Sequence, residues 1–390
     1  MTARSDDASI DEQQLHTGRT DLTRDRARIL LIAGAGLIFF VSIVLSRNMT
    51  GPIVYEDGLG YFANARYLAG TRIVPELAPI QFYYPGYSLL IAPLYWLPIG
   101  PELVYKGVLL LNAALGSSQF LLGYFFLHRV IAVGRRVAIW SSLAAALYPG
   151  VLLLQSYEYA DNLFRVVFLA CVISAGLLVQ RSSLGRGVLL GALAAGSYAV
   201  HPRGLGVVAA TLVFLLIGIV SKKLVKPGLV GLATVLGLAF VVNWLNQTLI
   251  EAMYPLGDRS VGDLLSRLLV ADFWLEVPVR AAGQVWYLTV GTAGLFPVGV
   301  AVAGVAAWGC ARLLKEGKWV SPGDGSKLYL ITASAALFAV SVIFMTSADA
   351  TLGRLDRLIY GRYNDAFAVV FGMVAVAHLI DLWDSRGKQN

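Results

Sequence analysis

Residues 187–220 read GVLLGALAAGSYAVHPRGLGVVAATLVFLLIGIV, an apolar stretch interrupted by His201-Pro202-Arg203-Gly204. A helix needs about 20 apolar residues to cross a bilayer, so the stretch is too long for one ordinary span. A proline between a histidine and an arginine is typical of a turn. The stretch is therefore predicted to form two short helices joined at 201–204. Whether this stretch forms one helix or two determines the side of the membrane on which every later loop lies.

The composition indicates that lipid surrounds much of the molecule. Of 390 residues, 57% are hydrophobic and 14% are charged, with a mean hydropathy of +0.68. Soluble proteins carry about 25% charged residues. These values exclude a soluble enzyme, a disordered regulator and a disulfide-rich secreted module. The two cysteines, Cys171 and Cys310, lie in apolar runs and predict neither a disulfide framework nor a zinc site.

Eight further runs are long and apolar enough to cross a membrane, which predicts an all-α, polytopic protein of about ten spans. These runs are 29–46, 103–127, 137–154, 163–180, 228–249, 284–311, 328–346 and 366–383. The first run ends in Arg47-Asn48-Met49 and not in small residues, so we interpret it as an anchor and not as a cleaved signal peptide. The predicted domains are a cytoplasmic polar tail (1–28), a single transmembrane domain (29–383) and a second cytoplasmic tail (384–390).

The basic residues support this topology. With a cytoplasmic N-terminus, ten spans place the basic clusters at 129–136, 181–186, 222–226 and 312–327 in inner segments, as the positive-inside rule requires. Treating 187–220 as one span would move the last two clusters outside. The net charge of +7 then reflects topology, and nucleic acid is not a predicted partner. The predicted location is the bacterial plasma membrane, with the N-terminus in the cytoplasm and the long first loop outside.

The first outer loop, 47–102, contains two amphipathic pieces, 57–70 and 87–97. Both are predicted to lie in the membrane interface as juxtamembrane helices, because their tyrosine and tryptophan side chains suit the headgroup zone. The chain has no visible internal repeat and no matching pair of broken helices, which argues against a transporter built on inverted repeats.

The densest polar signal is Tyr55-Glu56-Asp57-Gly58-Leu59-Gly60-Tyr61, directly after the first span. An aspartate at the start of an interfacial helix can accept a proton from an incoming hydroxyl group. The alternative is a pair of solvated loop acids that only assist topology. The second interfacial helix opens at Tyr84-Pro85-Gly86-Tyr87, where Tyr84 is either a substrate contact or an interfacial anchor.

Two short turns carry further charged residues. Glu158 and Asp161 precede the fourth span, and Arg165 lies one helical turn after Asp161, at a spacing that allows the two to pair. This pair is either structural or lines a cavity. At the turn 201–204, the planar guanidinium of Arg203 suits a phosphate group. The alternative for Arg203 is an exposed helix cap, and His201 is either a hydrogen-bonding residue or a catalytic one.

The last outer loop contains Arg354, Arg357 and Arg362 within nine residues. Three arginines on the outer side are predicted to form an anion site over a membrane-borne phosphate, with a basic rim for lipid headgroups as the alternative. The sequence has no glycine-rich phosphate loop after a strand and no Ser/His/Asp arrangement. It also has no zinc-ligand spacing, so no metal site is predicted.

Taken in order, these motifs resemble those of the GT-C superfamily of integral-membrane glycosyltransferases. The resemblance covers about residues 29 to 383 and consists of short elements, each weakly specific by itself. The elements are Glu56-Asp57 with Gly60-Tyr61, Tyr84-Pro85-Gly86-Tyr87, Asp161-Asn162-Leu163-Phe164, His201-Pro202-Arg203-Gly204 and Gly361-Arg362-Tyr363. The fourth departs from the usual order, because histidine precedes the proline and arginine follows it.

The resemblance implies an enzyme that takes a sugar from a polyprenyl-phosphate carrier, with inversion and without a cofactor or a metal ion, at an active site that faces the outside. It implies that Asp57 is the general base. Arginines would hold the carrier phosphate, and with them Tyr363; the candidates are Arg203, Arg357 and Arg362, with Arg354 in reserve. Glu56, Tyr61, Tyr84, Glu158, Asp161 and His201 would bind the sugar or the acceptor.

The partners expected from this resemblance are the bilayer, the lipid-linked donor and a glycan, glycolipid or protein acceptor. Mannose and a pentofuranose such as arabinose are both plausible sugars, so the enzyme is a hexosyl- or pentosyltransferase. Two alternatives stay open at this point. A transporter or flippase of a lipid-linked saccharide would also need outer arginines and a cavity, and in a non-catalytic membrane scaffold the Glu56-Asp57 segment would be incidental.

Overall fold

A computed structural model describes residues 23–52, 56–71, 83–253, 268–318, 320–352, 359 and 361–386, with side chains for all of these except 56–57 and 347–352. Within these ranges the protein is helical and contains no strand. The predicted all-α fold class is confirmed. The fourteen described α-helices are α1 (Arg24–Ser46), α2 (Glu56–Leu68), α3 (Pro85–Ile91), α4 (Pro101–Phe125), α5 (Arg135–Ala146), α6 (Pro149–Gln155), α7 (Asp161–Gln180), α8 (Leu184–Val200), α9 (Gly204–Val220), α10 (Val225–Met253), α11 (Ala271–Gly291), α12 (Leu295–Lys315), α13 (Pro322–Leu352) and α14 (Asp365–Arg386).

The chain is an integral, multi-pass membrane protein. In the described part of the chain, seven helices are long and apolar enough to cross a bilayer, or eight if the bent pair α5 and α6 counts as one span. The helices α8 and α9 are apolar but shorter. The predicted count of ten is therefore not confirmed. The axis turns by 60° between α5 and α6, inside the run 137–154 that the sequence predicts as one span.

The run 284–311, also predicted as one span, is divided between α11 and α12. Ala293 and Gly294 have φ angles of 49° and 81°, which a right-handed helix cannot contain. The Thr292 hydroxyl accepts a hydrogen bond from the backbone N–H of Phe296 at 2.9 Å and so satisfies one of the free donors at the start of α12. The prediction of a single helix is wrong here, although Gly294 and Pro297, in the first turn of α12, mark the break within the apolar run.

The predicted break at 201–204 is confirmed, because α8 ends at Val200 and α9 begins at Gly204. Glycines let the neighbouring backbones approach closely. A Cβ on Gly191 would lie 2.6 Å from the Gly231 carbonyl oxygen in α10. Gly204 has no room for a Cβ against the backbone of Ser197. Small residues allow such close helix packing where burial of apolar surface from water is not available as a driving force.

The two predicted amphipathic helices of the first outer loop are present as α2 and as α3, which continues in a 3-10 turn, Ala92–Trp96. The Tyr61 ring of α2 packs edge-on against Tyr83 at 5.3 Å and Tyr87 at 5.4 Å between centroids. A Cβ on Gly86 would lie 2.7 Å from the backbone of Ala199 at the end of α8. The start of α3 therefore lies against the turn that carries His201 and Arg203.

Candidate active site

Asp161, the first residue of α7, is the centre of a buried ionic cluster. It is 2% exposed and forms an ion pair with Arg203 Nη2. Its other carboxylate oxygen, Oδ2, lies 3.2 Å from Arg362 Nε. Arg203 caps the start of α9, and Arg362 belongs to the 3-10 turn Arg362–Asn364 before α14. The structure thus brings together three predicted site residues from separate motifs.

Aromatic rings cover both guanidinium groups. The Arg203 guanidinium carbon lies 4.3 Å from the centroid of the Phe164 ring and 5.1 Å from that of Tyr363. The Arg362 guanidinium carbon lies 4.4 Å from the Tyr159 ring centroid and 5.9 Å from Tyr363. Stacking of this kind fixes the guanidinium plane and suits a cation that has left water. Tyr363, predicted as a donor contact, therefore lies between the two arginines.

His201 is part of the same cluster. The backbone N–H of Arg203 donates to His201 Nδ1 at 3.2 Å, and the imidazole ring lies 5.3 Å from the Tyr363 ring. Burial, together with the neighbouring Arg203, holds the pKa of His201 well below its ordinary value. A neutral imidazole that accepts at Nδ1 carries its proton on Nε2. His201 is therefore placed as a hydrogen-bond donor through Nε2 and not as a cation.

Arg165 does not make the local pair that its spacing allows. Asp161 pairs with Arg203 and Arg362 instead, and Arg165 Nη2 donates to Asn162 Oδ1 at 2.7 Å. The Asn162 amide donates in turn to the carbonyl oxygens of Leu154 and Tyr157, both at 3.0 Å. The alternative that Asp161 and Arg165 form a structural pair is wrong, because the longer-range arginines reach the carboxylate.

Several buried donors of the cluster have no partner among the described residues. They are Nε and Nη1 of Arg203 and Nε and Nη1 of Arg165. A buried donor without a hydrogen bond costs about 1–3 kcal/mol, more when it is charged, so this arrangement favours an added acceptor. Arg165, Arg203 and Arg362 are in electrostatic contact with two aspartates, Asp161 and Asp365, so these basic residues outnumber the acidic ones. The cluster can therefore stabilise a bound anion.

Sequence analysis considers Arg165 only as a partner of Asp161, and it does not identify Asn162 or Asp365 as site residues. Asp365 begins α14, is 2% exposed and has an Oδ1 atom with no partner in the described part of the chain. A charged side chain at the start of a predicted span was the available signal, since such groups in membrane segments face a partner or a cavity. Their distant partners could not be found from local spacing.

Glu158 links this cluster to α2. It is 2% exposed, and its Oε2 accepts a hydrogen bond from the Tyr105 hydroxyl at 3.2 Å. Gly58 has no room for a Cβ against the Glu158 carboxylate, so the first turn of α2 contacts this side chain. Asp161 is three positions after Glu158 in the chain, so their Cα atoms lie at most about 11 Å apart. The first turn of α2, which includes the backbone of Asp57, therefore contacts a residue three positions before Asp161, while the Glu56 and Asp57 side chains lie outside the described parts.

The remaining predicted site residues divide into two groups. Tyr61 is 5% exposed between Tyr83 and Tyr87, so its ring packs in the core. Tyr84 contacts α8, where its ring lies 5.3 Å from that of Tyr198. Arg354 and Arg357 lie outside the described residues.

An open, apolar groove of about 620 Å³ runs along one face of α11. Its lining consists of Pro278, Val279, Ala282, Gly283, Trp286 and Ile359. The next residue of α11, Tyr287, packs against Gly361, where its ring leaves no space for a Cβ. Gly361 directly precedes Arg362, so the groove lies close along the chain to the arginine cluster.

Comparison with solved structures shows what this arrangement of helices resembles. ArnT from Cupriavidus metallidurans bound to undecaprenyl phosphate matches 92% of this chain with a TM-score of 0.52 and 16% identity. The archaeal oligosaccharyltransferase AglB from Archaeoglobus fulgidus, in complex with an inhibitory peptide and a dolichol-phosphate, matches 91% with a TM-score of 0.54 and 12% identity. Both are GT-C glycosyltransferases. The chain has a GT-C fold.

A second structure of the Archaeoglobus fulgidus enzyme, tethered to an acceptor peptide, covers 93% of the chain with a TM-score of 0.56 and 13% identity. The GT-C resemblance indicated by the motifs is thus confirmed at the level of the fold. This chain spans 61% of ArnT and 50% of the AglB structures. No protein-family model and no curated protein sequence matches it.

Proposed function

We propose that the protein is a GT-C membrane glycosyltransferase that moves a sugar from a polyprenyl-phosphate carrier to a hydroxyl acceptor. One observation carries this proposal: two buried arginines, Arg203 and Arg165, keep unpartnered donors beside Asp161 in a GT-C fold. A phosphodiester carries a negative charge, which suits a cluster in which three arginines contact two aspartates. Arg203 and Arg165 offer these donors to the phosphate, Arg362 holds it with them, and Asp161 fixes the positions of Arg203 and Arg362.

The arginines stabilise the transition state more than they stabilise the intact donor. The bond between the anomeric carbon and the phosphate oxygen breaks with its electron pair passing to the phosphate, which gains a negative charge. Donors already in place stabilise this charge more than that of the intact donor, so they lower the barrier. The reaction requires no metal ion under this proposal, because guanidinium groups supply the positive charge.

Asp57 is the general base in this mechanism. The acceptor hydroxyl transfers its proton to the Asp57 carboxylate while its oxygen attacks the anomeric carbon. Attack occurs on the face opposite to the phosphate, so the configuration inverts. The contact of Gly58 with Glu158 supports this assignment, because it places the first turn of α2 against a residue three positions before Asp161 in the chain. Glu56, Glu158 and Tyr84 contribute contacts to sugar or acceptor hydroxyl groups.

The hydrocarbon part of the donor lies in the bilayer and along the apolar groove of α11. This placement is supported by the short chain connection between Ile359 in the groove lining and Arg362 in the cluster. The site faces the extracytoplasmic side, in keeping with the basic residues that sequence analysis assigns to the inner loops. Mannose and arabinose remain the candidate sugars, with a glycan, glycolipid or protein as acceptor.

The test uses purified protein in nanodiscs with undecaprenyl phosphate carrying labelled mannose or labelled arabinofuranose, and a panel of hydroxyl-bearing glycan acceptors. Transfer of label to an acceptor, with release of undecaprenyl phosphate, is the expected result. The same donors are offered to protein in sealed vesicles. Movement of intact donor across the vesicle membrane without transfer would replace this proposal with a transporter. If the protein neither transfers the label nor moves the donor, the membrane scaffold replaces this proposal.

A further inference from the structure

Gln284 connects three elements of the structure by hydrogen bonds, close to the arginine cluster. Its side chain is fully buried in α11, and its Oε1 accepts two hydrogen bonds. Asn364 Nδ2, in the 3-10 turn before α14, donates at 2.7 Å. Ser341 Oγ, in α13, donates at 2.9 Å. Through this one oxygen atom, α11 and α13 hold the turn that carries Arg362.

A second contact fixes the same turn from the same helix. Tyr287, three residues after Gln284 on α11, packs so closely on Gly361 that no Cβ fits there. The turn Arg362–Asn364 is therefore held at both of its ends, at Gly361 by an aromatic ring and at Asn364 by a hydrogen bond. Between these two points lie Arg362 and Tyr363, which contact Asp161 and Arg203 respectively.

The Gln284 amide holds the turn Arg362–Asn364 through its oxygen atom. Its Nε2 atom has no partner among the described residues, so half of a buried amide is unsatisfied. An apolar side chain of the same size would fill the space without that cost, which is about 1–3 kcal/mol for a buried polar group. The oxygen therefore contributes direction and not merely volume, because it aligns donors from two other elements.

We propose that Gln284 is a positioning residue for the donor phosphate site, acting through Arg362. This inference rests on the proposed function, because it takes Arg362 as a phosphate contact. Loss of the Gln284 oxygen lets the turn shift, and a displacement of about 1 Å at a positioned group is enough to lose about 100-fold in rate. The side chain itself touches neither phosphate nor sugar.

The experiment measures the Kd of nanodisc-embedded protein for undecaprenyl phosphate. Gln284→Met keeps the size of the side chain and removes the acceptor, and we expect its Kd to rise about tenfold. Gln284→Glu keeps an oxygen at the same place and is expected to retain most of the affinity. Thr289→Val is the matched control on α11, where the Thr289 hydroxyl donates only to its own helix at Val285 O, and its Kd should equal that of the wild type.

A double-mutant cycle distinguishes positioning from general loosening of the core. In the Arg362→Ala background, Gln284→Met should add less than a twofold change, because the residue through which it acts is gone. Should Gln284→Met fail to fold, Asn364→Ser removes the same hydrogen bond from the other partner and should give the same rise in Kd.

Three results would overturn the inference while leaving the proposed function intact. These are an unchanged Kd in Gln284→Met, an additive effect with Arg362→Ala, and a loss in Gln284→Glu as large as in Gln284→Met. If wild-type protein does not bind undecaprenyl phosphate at all, the inference and the proposed function fail together.

Discussion

Arg362 Nε lies 3.2 Å from Asp161 Oδ2, which joins the turn before the last helix to the first residue of α7. The same carboxylate pairs with Arg203, so a single buried aspartate orients two guanidinium groups from opposite parts of the sequence. Their positions are set before any anion binds, and preorganised charges of this kind need no rearrangement during the reaction.

Loss of the Asp161 charge should destabilise the protein strongly. Asp161→Asn leaves Arg203 buried without its carboxylate, and breaking a buried ion pair costs about 3–5 kcal/mol. The control is Glu102→Gln, which removes the half-exposed pair of Glu102 with Lys106 and should cost less than about 1 kcal/mol. Thermal unfolding of both variants in the same detergent checks this expectation. Equal shifts in unfolding temperature would contradict the central role of Asp161.

Arg362→Ala should weaken binding of the donor more than binding of the acceptor. A charge-assisted hydrogen bond contributes about 1.5–3 kcal/mol, which corresponds to roughly a 10- to 100-fold rise in Kd for undecaprenyl phosphate. Arg312→Ala removes an exposed arginine from the last turn of α12 and serves as the charge control. The assignment of Arg362 is wrong if the two variants bind the lipid phosphate equally well.

Gly86→Ala should separate α3 from the end of α8. The added methyl group would lie 2.7 Å from the Ala199 backbone, which cannot move as a side-chain end can, and we expect a loss of about 1–3 kcal/mol. The matched control is Gly196→Ala within α8, where nothing lies within 4 Å and a gain of about 0.5–1 kcal/mol is expected. Chemical denaturation in detergent gives both values. If Gly86→Ala leaves the free energy of unfolding unchanged, α3 does not pack against α8.

The stability of the protein should depend on pH through His201. Its pKa is lowered by burial and by Arg203, so below about pH 6.5 the unfolded chain takes up a proton that the folded protein does not. This proton uptake lowers the wild-type free energy of unfolding by at most about 1.4 kcal/mol per pH unit as the pH falls. In His201→Gln the contribution is absent, so unfolding measured from pH 6.5 to 5 should show a shallower slope. Parallel profiles would mean that His201 titrates normally.

Local signals in the sequence were enough for much of the fold. The break at Pro202 was predictable because proline cannot continue a helix, and α2 and α3 were predictable from their amphipathic pattern. The break at 292–294 is missed when only apolar length is considered, although Gly294 and Pro297, in the first turn of α12, are local signals for it. The positive φ of Ala293 has no signal of its own in the sequence, since alanine favours a helix.

The candidate site shows the same division. Asp161, Arg203, Arg362 and Tyr363 were selected from motifs, and the structure brings these four together. The spacing rule for helices named Arg165 as a partner of Asp161, since it considers only neighbours along one helix. Gln284 gave no signal, because one amide within an apolar run has no visible partner until Ser341 and Asn364 are placed beside it.

The most direct test of the mechanism is sugar transfer by Asp57→Asn, measured beside its affinity for undecaprenyl phosphate. General-base catalysis contributes about 100- to 10,000-fold to a rate. We therefore predict that Asp57→Asn folds and binds the lipid phosphate as the wild type does, while its rate of transfer falls by at least about 100-fold. Transfer at the wild-type rate by Asp57→Asn would contradict the account.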